Sequence, residues 1–159
     1  SEVNELYNHP KIKSNVSATK GEGFGRPLLE FALTGKPTIA TGWSGHVDFL
    51  DGKLTPLMGG KLNPIHASAQ QKDMLIEGSQ WFDVDHGHLG HFLMDVKKNY
   101  KKWTPKSKTL ANRLKKKFSF NAMKELLIKI LDDKVDIPTQ VKLNIPKLDG
   151  MTLPTMKKI

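Results

Sequence analysis

The sequence contains no cysteine. Disulfides, thiolate metal sites and cysteine nucleophiles are therefore excluded, and a reducing compartment fits. No stretch approaches the ~20 consecutive apolar residues of a membrane-spanning helix. No secretory leader pattern stands at the start, so the expected localisation is cytoplasmic, with no membrane span. Internal repeats of useful length are missing too. Acids are scarce beside bases: 16 Asp plus Glu against 25 Lys plus Arg leave a net charge of +9.

What remains is an ordinary globular composition, 38% hydrophobic and 26% charged. A chain of 159 residues is long enough for one domain with a core and too short for two large ones. It begins at Ser1, which leads us to expect a further part upstream. The positive charge is unevenly placed. Between Val96 and Ile130 there are 12 cations and a single acid, Glu125. Such a stripe can meet nucleic acid, anionic lipid or phosphorylated substrates, or can simply be a solvated helix face.

The pattern along the chain is that of an α/β protein. Residues 2–8 read as a short helix stopped by His9-Pro10. Residues 12–19 alternate as a strand, and a glycine-rich loop, Lys20-Gly21-Glu22-Gly23-Phe24-Gly25-Arg26, follows. Pro27 suits the first position of a helix whose buried face is Leu28, Leu29, Phe31, Ala32 and Leu33, with Gly35 as its stop. A second strand at 37–41 leads into a second glycine loop, Gly42-Trp43-Ser44-Gly45-His46, and a turn of helix at 47–50. A third strand is expected at 54–58, a long irregular loop at 61–79 and an aromatic strand at 81–85. Helices are expected at 88–103, at 105–118 and at 121–131, the last burying Leu126, Leu127 and Ile130. From Val135 onward three prolines and the absence of helical period indicate an extended tail.

Strand, glycine loop, helix, strand, glycine loop is a βαβ pattern. In such sheets ligands lie beyond the carboxyl ends of the strands, so both loops should rim one crevice. Gly23 and Gly25 allow close backbone approach to a ligand. The helix amino end favours phosphate, with the N–H groups of Arg26 and Leu28 as donors and the Arg26 guanidinium as a phosphate fork. Glu22 and Glu30 are acceptors suited to sugar or ribose hydroxyls. The combination describes a pocket for a nucleotide sugar. Read blandly, the glycines serve turns, Glu22 is a surface acid and Glu30 an ordinary helical one.

The run from Lys20 through Glu30, followed by Gly35-Lys-Pro-Thr-Ile-Ala-Thr41, resembles the signature of GT-B glycosyltransferases, especially the retaining family 4. That signature is E-G-F-G-x-x-x-x-E and then a G-x-P-V-I-A-T strand. The continuation Trp43-Ser-Gly-His-Val-Asp-Phe-Leu50 and the proline-punctuated tail are most similar to enzymes encoded by tailed phages, including those of marine cyanobacteria. The motif-level likeness spans roughly residues 5–50.

The resemblance implies a Rossmann-like sheet forming part of the carboxyl-terminal, nucleotide-sugar-binding domain of a GT-B enzyme at residues 1–133, then a tail at 134–159. It implies a retaining hexosyl transfer from a nucleotide sugar to a glycan, protein or modified nucleic-acid acceptor. Glu22 would approach the hydroxyls of the transferred sugar and is the catalytic candidate. Glu30 would hold the ribose, and Gly23, Phe24, Gly25 and Leu28 would bind sugar and phosphate through their backbone. Arg26 and Lys20 are phosphate contacts inferred from charge, and Ser44 and His46 possible contacts to acceptor or sugar. No metal and no cofactor are expected. The reaction is thought to proceed on one face, the departing phosphate taking the acceptor proton. If a phage encodes the chain, the host cytoplasm is the place of action.

The family's upstream phosphate-clamping Arg and Lys and its acceptor domain do not fit before Ser1, so the segment alone is expected to be inactive and to rely on an upstream domain. The tail is a candidate contact for self-association. His86, His88 and His91, with Asp83 and Asp85, are the weaker metal candidates, and capping explains them as well. Two further readings stay open: a phage structural or interaction protein keeping a transferase-like domain, and a basic nucleic-acid-binding module.

Overall fold

A computed structural model describes residues 2–70 and 78–134. The chain divides into two units, Ser1–Met123 and Lys124–Ile159. The expected tail from Val135 onward lies outside the described residues, as do residues 71–77 of the expected loop.

The first unit is a mixed α/β structure. Its order is α1 (Glu2–Asn8), β1 (Asn15–Ser17), α2 (Arg26–Ala32), β2 (Thr38–Thr41), β3 (Leu57–Met58), β4 (Gly60–Pro64), β5 (Gln80–Val84), α3 (His86–Lys98) and α4 (Tyr100–Lys117). Helix α5 (Phe120–Lys134) runs on into the second unit. Strands β1, β2 and β3 form a parallel sheet in that order, with Val16 opposite Ile39 and Ala40 opposite Leu57. β4 and β5 form a separate antiparallel pair.

All four residues of β2 are buried, as a central parallel strand covered on both faces requires. Its alternation sorts them. Ala40 joins Leu28, Leu29, Ala32, Phe49, Leu50, Leu110 and Leu114 in one cluster. Ile39 joins Met58, Val96 and Trp103 in the other, with Leu89 and Phe92 packed against it. Helix α4 serves both clusters, through Leu110 and Leu114 on one side and Trp103 on the other. Fully burying such side chains contributes ~1.5–3 kcal/mol each.

Three elements differ from the sequence reading. Residues 61–64 are a strand, with Leu62 opposite Phe82 and Lys61 opposite Asp83, where a loop was expected. Pro64 suits the end of a two-stranded ribbon, because its missing N–H faces no further strand. The break between the basic helices falls at Asn99, not after Trp103. Asp95 fixes that break: its carbonyl accepts the Asn99 N–H at 2.8 Å, and its carboxylate accepts from Asn99 Nδ2 and Trp103 Nε1, both at 2.7 Å. Pro105 therefore lies inside α4. Finally, Leu126, Leu127 and Ile130 of α5 are exposed, although the helix is present. Amphipathic spacing records a face able to be buried and says nothing of its partner.

Candidate functional site

Both glycine loops leave the carboxyl ends of adjacent parallel strands, β1 and β2, and they are fastened to each other. Ser44 Oγ donates to Glu22 O at 2.7 Å and accepts the Glu22 N–H at 2.9 Å. The Gly45 N–H donates to the same Glu22 carbonyl at 3.0 Å. A Cβ on Gly45 would fall on the Gly23 carbonyl, so the close approach requires glycine there. Ser44 holds φ 84° and ψ −175°, a conformation nearly confined to glycine that costs about 1–3 kcal/mol. The strain is tolerated where these bonds over-determine it.

Gly25 begins α2 with φ 82°. A Cβ at this position would stand 2.9 Å from His46 Cβ. His46 lies beneath the first loop and is fully buried at 0% exposure. Its Nε2 sits 2.6 Å from the Thr41 carbonyl, so that nitrogen carries the proton in the neutral ring. Nδ1 is then a buried acceptor with no hydrogen-bond partner among the described residues. Of the two residues read from the sequence as possible ligand contacts, Ser44 bonds the first loop through the Glu22 backbone, and His46 is buried and bonds the Thr41 carbonyl.

The remaining candidates are distributed around this clamp. Phe24 is 45% exposed and packs against Phe49 and Phe118, with ring centroids 5.2 and 5.7 Å away. The Leu28 N–H, expected as a phosphate donor, bonds to the Gly25 carbonyl at 3.0 Å. Arg26 Nε pairs with Glu30 Oε1 at 2.7 Å across one helical turn, and the hydrogen bond raises the guanidinium pKa. Arg26 and Glu30 line a groove of about 520 Å³ with Asn4, Tyr7 and Leu33 of the α1 side and α2. Glu22 is half-buried within the clamp.

Lys20 faces a different space. Its Nζ meets Asp83 Oδ1 at 2.7 Å and lies 4.0 Å from the centre of the Trp81 ring. The bond from Lys20, followed by that from Asn63 Nδ2 at 2.6 Å, holds the Asp83 carboxyl below its ordinary pKa. Lys20 is one wall of a cleft of about 1060 Å³ formed with Gly59, Gly60, β5 and the amino end of α3. Asp85 caps α3 by accepting the N–H groups of Gly87 and His88, and those bonds lower its pKa, the His88 one most.

Sequence reasoning missed the hairpin as part of this region. Its signal was the aromatic run Trp81-Phe82, of which the Phe82 ring stacks parallel to Trp43 of the second loop at 5.8 Å and 2°. It also missed that part of the basic run is structural. Lys117 Nζ donates to Asp48 O at 3.1 Å, and Arg113 pairs with Asp51 at 3.0 Å. Both anchor the segment after the second glycine loop.

His88 Nδ1 accepts the Gly59 N–H at 3.0 Å, while the His91 ring packs on Phe92. Among the described residues no three His, Asp or Glu side chains are grouped for a metal ion. No helix among them is long and apolar enough to cross a membrane.

Compared with known proteins, the chain matches no family model, no curated protein and no solved structure. The functional reading therefore rests on the motif and on the geometry of the two loops.

Proposed function

We propose that this chain carries the donor site of a retaining GT-B-type glycosyltransferase and binds a nucleotide sugar at its two glycine loops. The observation that supports the reading most is the double hydrogen bond between Ser44 and Glu22. It fastens the first glutamate of an E-x7-E motif at the carboxyl edge of a parallel sheet, where α/β folds bind their ligands. The order β1-β2-β3 with α2 as the crossover suits the carboxyl-terminal half of such a domain.

In this reading Glu22 accepts hydroxyl hydrogen bonds of the transferred sugar. Glu30 keeps Oε2 open for a ribose while Oε1 holds Arg26. The backbone of Gly23, Phe24 and Gly25 lies along the sugar and diphosphate, with Arg26 within reach of phosphate oxygens. During transfer the bond from the anomeric carbon to the diphosphate oxygen breaks as the acceptor oxygen bonds to that carbon on the same face. The acceptor proton passes to the departing phosphate, so the chain supplies no general base.

Calorimetric titration with nucleoside diphosphate sugars, wild type beside Glu30→Gln, tests the reading. A charge-assisted hydrogen bond contributes about 1.5–3 kcal/mol, so the substitution should weaken binding roughly tenfold or more with the fold intact. Equal affinity of the two proteins removes Glu30 from the site.

A further inference from the structure

We propose that the cleft between the β4–β5 hairpin and the amino end of α3 is a separate binding site for an anionic saccharide, a sugar bearing a phosphate or a carboxylate. This site lies outside the E-x7-E motif and does not depend on the donor reading.

The space is large enough and in the right place. About 1060 Å³ is slightly more than the ~300–1,000 Å³ of small-molecule sites. Ala18, just past β1, and Gly59, just past β3, put it at the carboxyl edge of the parallel sheet. Its walls are tied together from three directions. The Phe82 N–H donates to Lys20 O at 2.9 Å, and the Asp85 N–H to Gly59 O at 2.8 Å. Lys20 and Asp83 close the third side through their ion pair.

The polar groups define the ligand. The charge of Lys20 is already matched by Asp83. Lys61 is exposed and makes no ion pair among the described residues. It stands across the ribbon from Asp83 and its charge helps to lower that carboxyl's pKa. No carboxylate among the described residues is bonded to its Nζ, so it is the cation of the lining open to a ligand anion. His88 accepts the Gly59 N–H on Nδ1, which leaves the proton of the neutral ring on Nε2 as a free donor. Asp85 uses Oδ1 for the N–H groups of Gly87 and His88 and keeps its other oxygen open as an acceptor. The Phe82 ring adds an apolar surface.

A simple anion would satisfy Lys61 but face the Asp85 carboxylate. A neutral apolar molecule would leave Lys61, His88 and Asp85 without partners. A sugar with one negative group matches all of them: the anion at Lys61, hydroxyls at His88 and Asp85, and a C–H face on the ring.

The test is an amide-resolved NMR titration of the whole chain with glucose 1-phosphate, glucuronate, glucose and inorganic phosphate. Either charged sugar should shift the amides of Gly59, Lys61, Asp85 and His88 in a saturable way, and the stronger of the two identifies the substituent. Glucose and phosphate should bind at least about tenfold more weakly. Lys61→Ala, an exposed position on a ribbon strand, should weaken the charged sugar about tenfold and leave the glucose response unchanged. Amides remote from the cleft report that this variant is folded. Equal binding of glucose or of inorganic phosphate overturns the proposal, as does a response confined to residues outside the cleft. The amides of residues 22–30 report nucleotide-sugar binding separately, so failure of either site is read independently.

Discussion

Ser44 Oγ bridges the two backbone polar groups of Glu22, accepting from its N–H at 2.9 Å and donating to its carbonyl at 2.7 Å. A residue 22 positions away thereby satisfies both backbone polar groups of Glu22. The strained backbone of Ser44 (φ 84°) is the other half of the arrangement.

Two substitutions separate the bridge from the strain. Ser44→Ala removes both bonds and keeps the unfavourable φ, so it should lower unfolding stability by about 2–3 kcal/mol. Ser44→Gly loses the same bonds and relieves the strain, so it should lose clearly less. Urea unfolding of the two variants checks this. Equal losses would mean that the backbone of Ser44 is not strained in solution.

The glycines of the first loop should respond unequally. Gly25→Ala puts a methyl 2.9 Å from His46 Cβ at a positive φ, and a loss of at least about 1–2 kcal/mol is expected. A Cβ on Gly23 meets nothing within 4 Å, so Gly23→Ala should stay within about 0.5 kcal/mol of wild type. Donor affinity, by contrast, should fall for Gly23→Ala, because its methyl occupies the space assigned to the sugar. Thermal unfolding and calorimetry on the same sample give both readouts.

Acid sensitivity follows from Asp83, Asp85 and Asp95. Hydrogen bonds from Lys20, from the His88 N–H and from Asn99 Nδ2, respectively, are the largest causes that lower these carboxyls below their ordinary value. The folded state therefore binds fewer protons than the unfolded one as the pH drops. The stabilisation is present above the unfolded Asp value of about 3.9 and is lost as the pH falls through the lower folded values. Stability measured against pH should decline below about pH 4, and Asp83→Asn should flatten that decline. An unchanged acid limb in the variant contradicts the assignment.

The cations of α4 should divide into two classes. Lys115 and Lys116 are exposed, whereas Arg113 and Lys117 hold the segment after the second loop. Neutralising Lys115 and Lys116 together should change neither stability nor donor affinity by more than about 0.5 kcal/mol. A large loss of donor affinity with the fold retained would join the two surfaces that this division separates.

The sequence made the βαβ core legible because its signals are local. Pro27 starts α2, Gly35 follows it, and Pro37-Thr-Ile-Ala-Thr41 has the continuous burial of a central strand. Residues 61–64 hid their strand because Lys61, Asn63 and Pro64 are poor strand formers alone, and only pairing with β5 holds them. Asn99 was hidden by Tyr100 and Trp103, which continue the apolar period across the break. In the candidate site the glutamate spacing was visible. The Ser44 bridge and the burial of His46 were not, because both arise from contacts between two loops that no local pattern encodes.

The most direct measurement is an NMR titration of the chain with a panel of nucleoside diphosphate sugars, read at the backbone amides. If the two loops are a donor site, one sugar nucleotide should shift Gly23, Phe24, Gly25, Leu28 and Glu30 together, saturably, and Glu22→Gln should weaken it while the remaining spectrum stays folded. Absence of any response at residues 22–30 across the panel, or a response that Glu22→Gln leaves unchanged, would contradict the donor assignment.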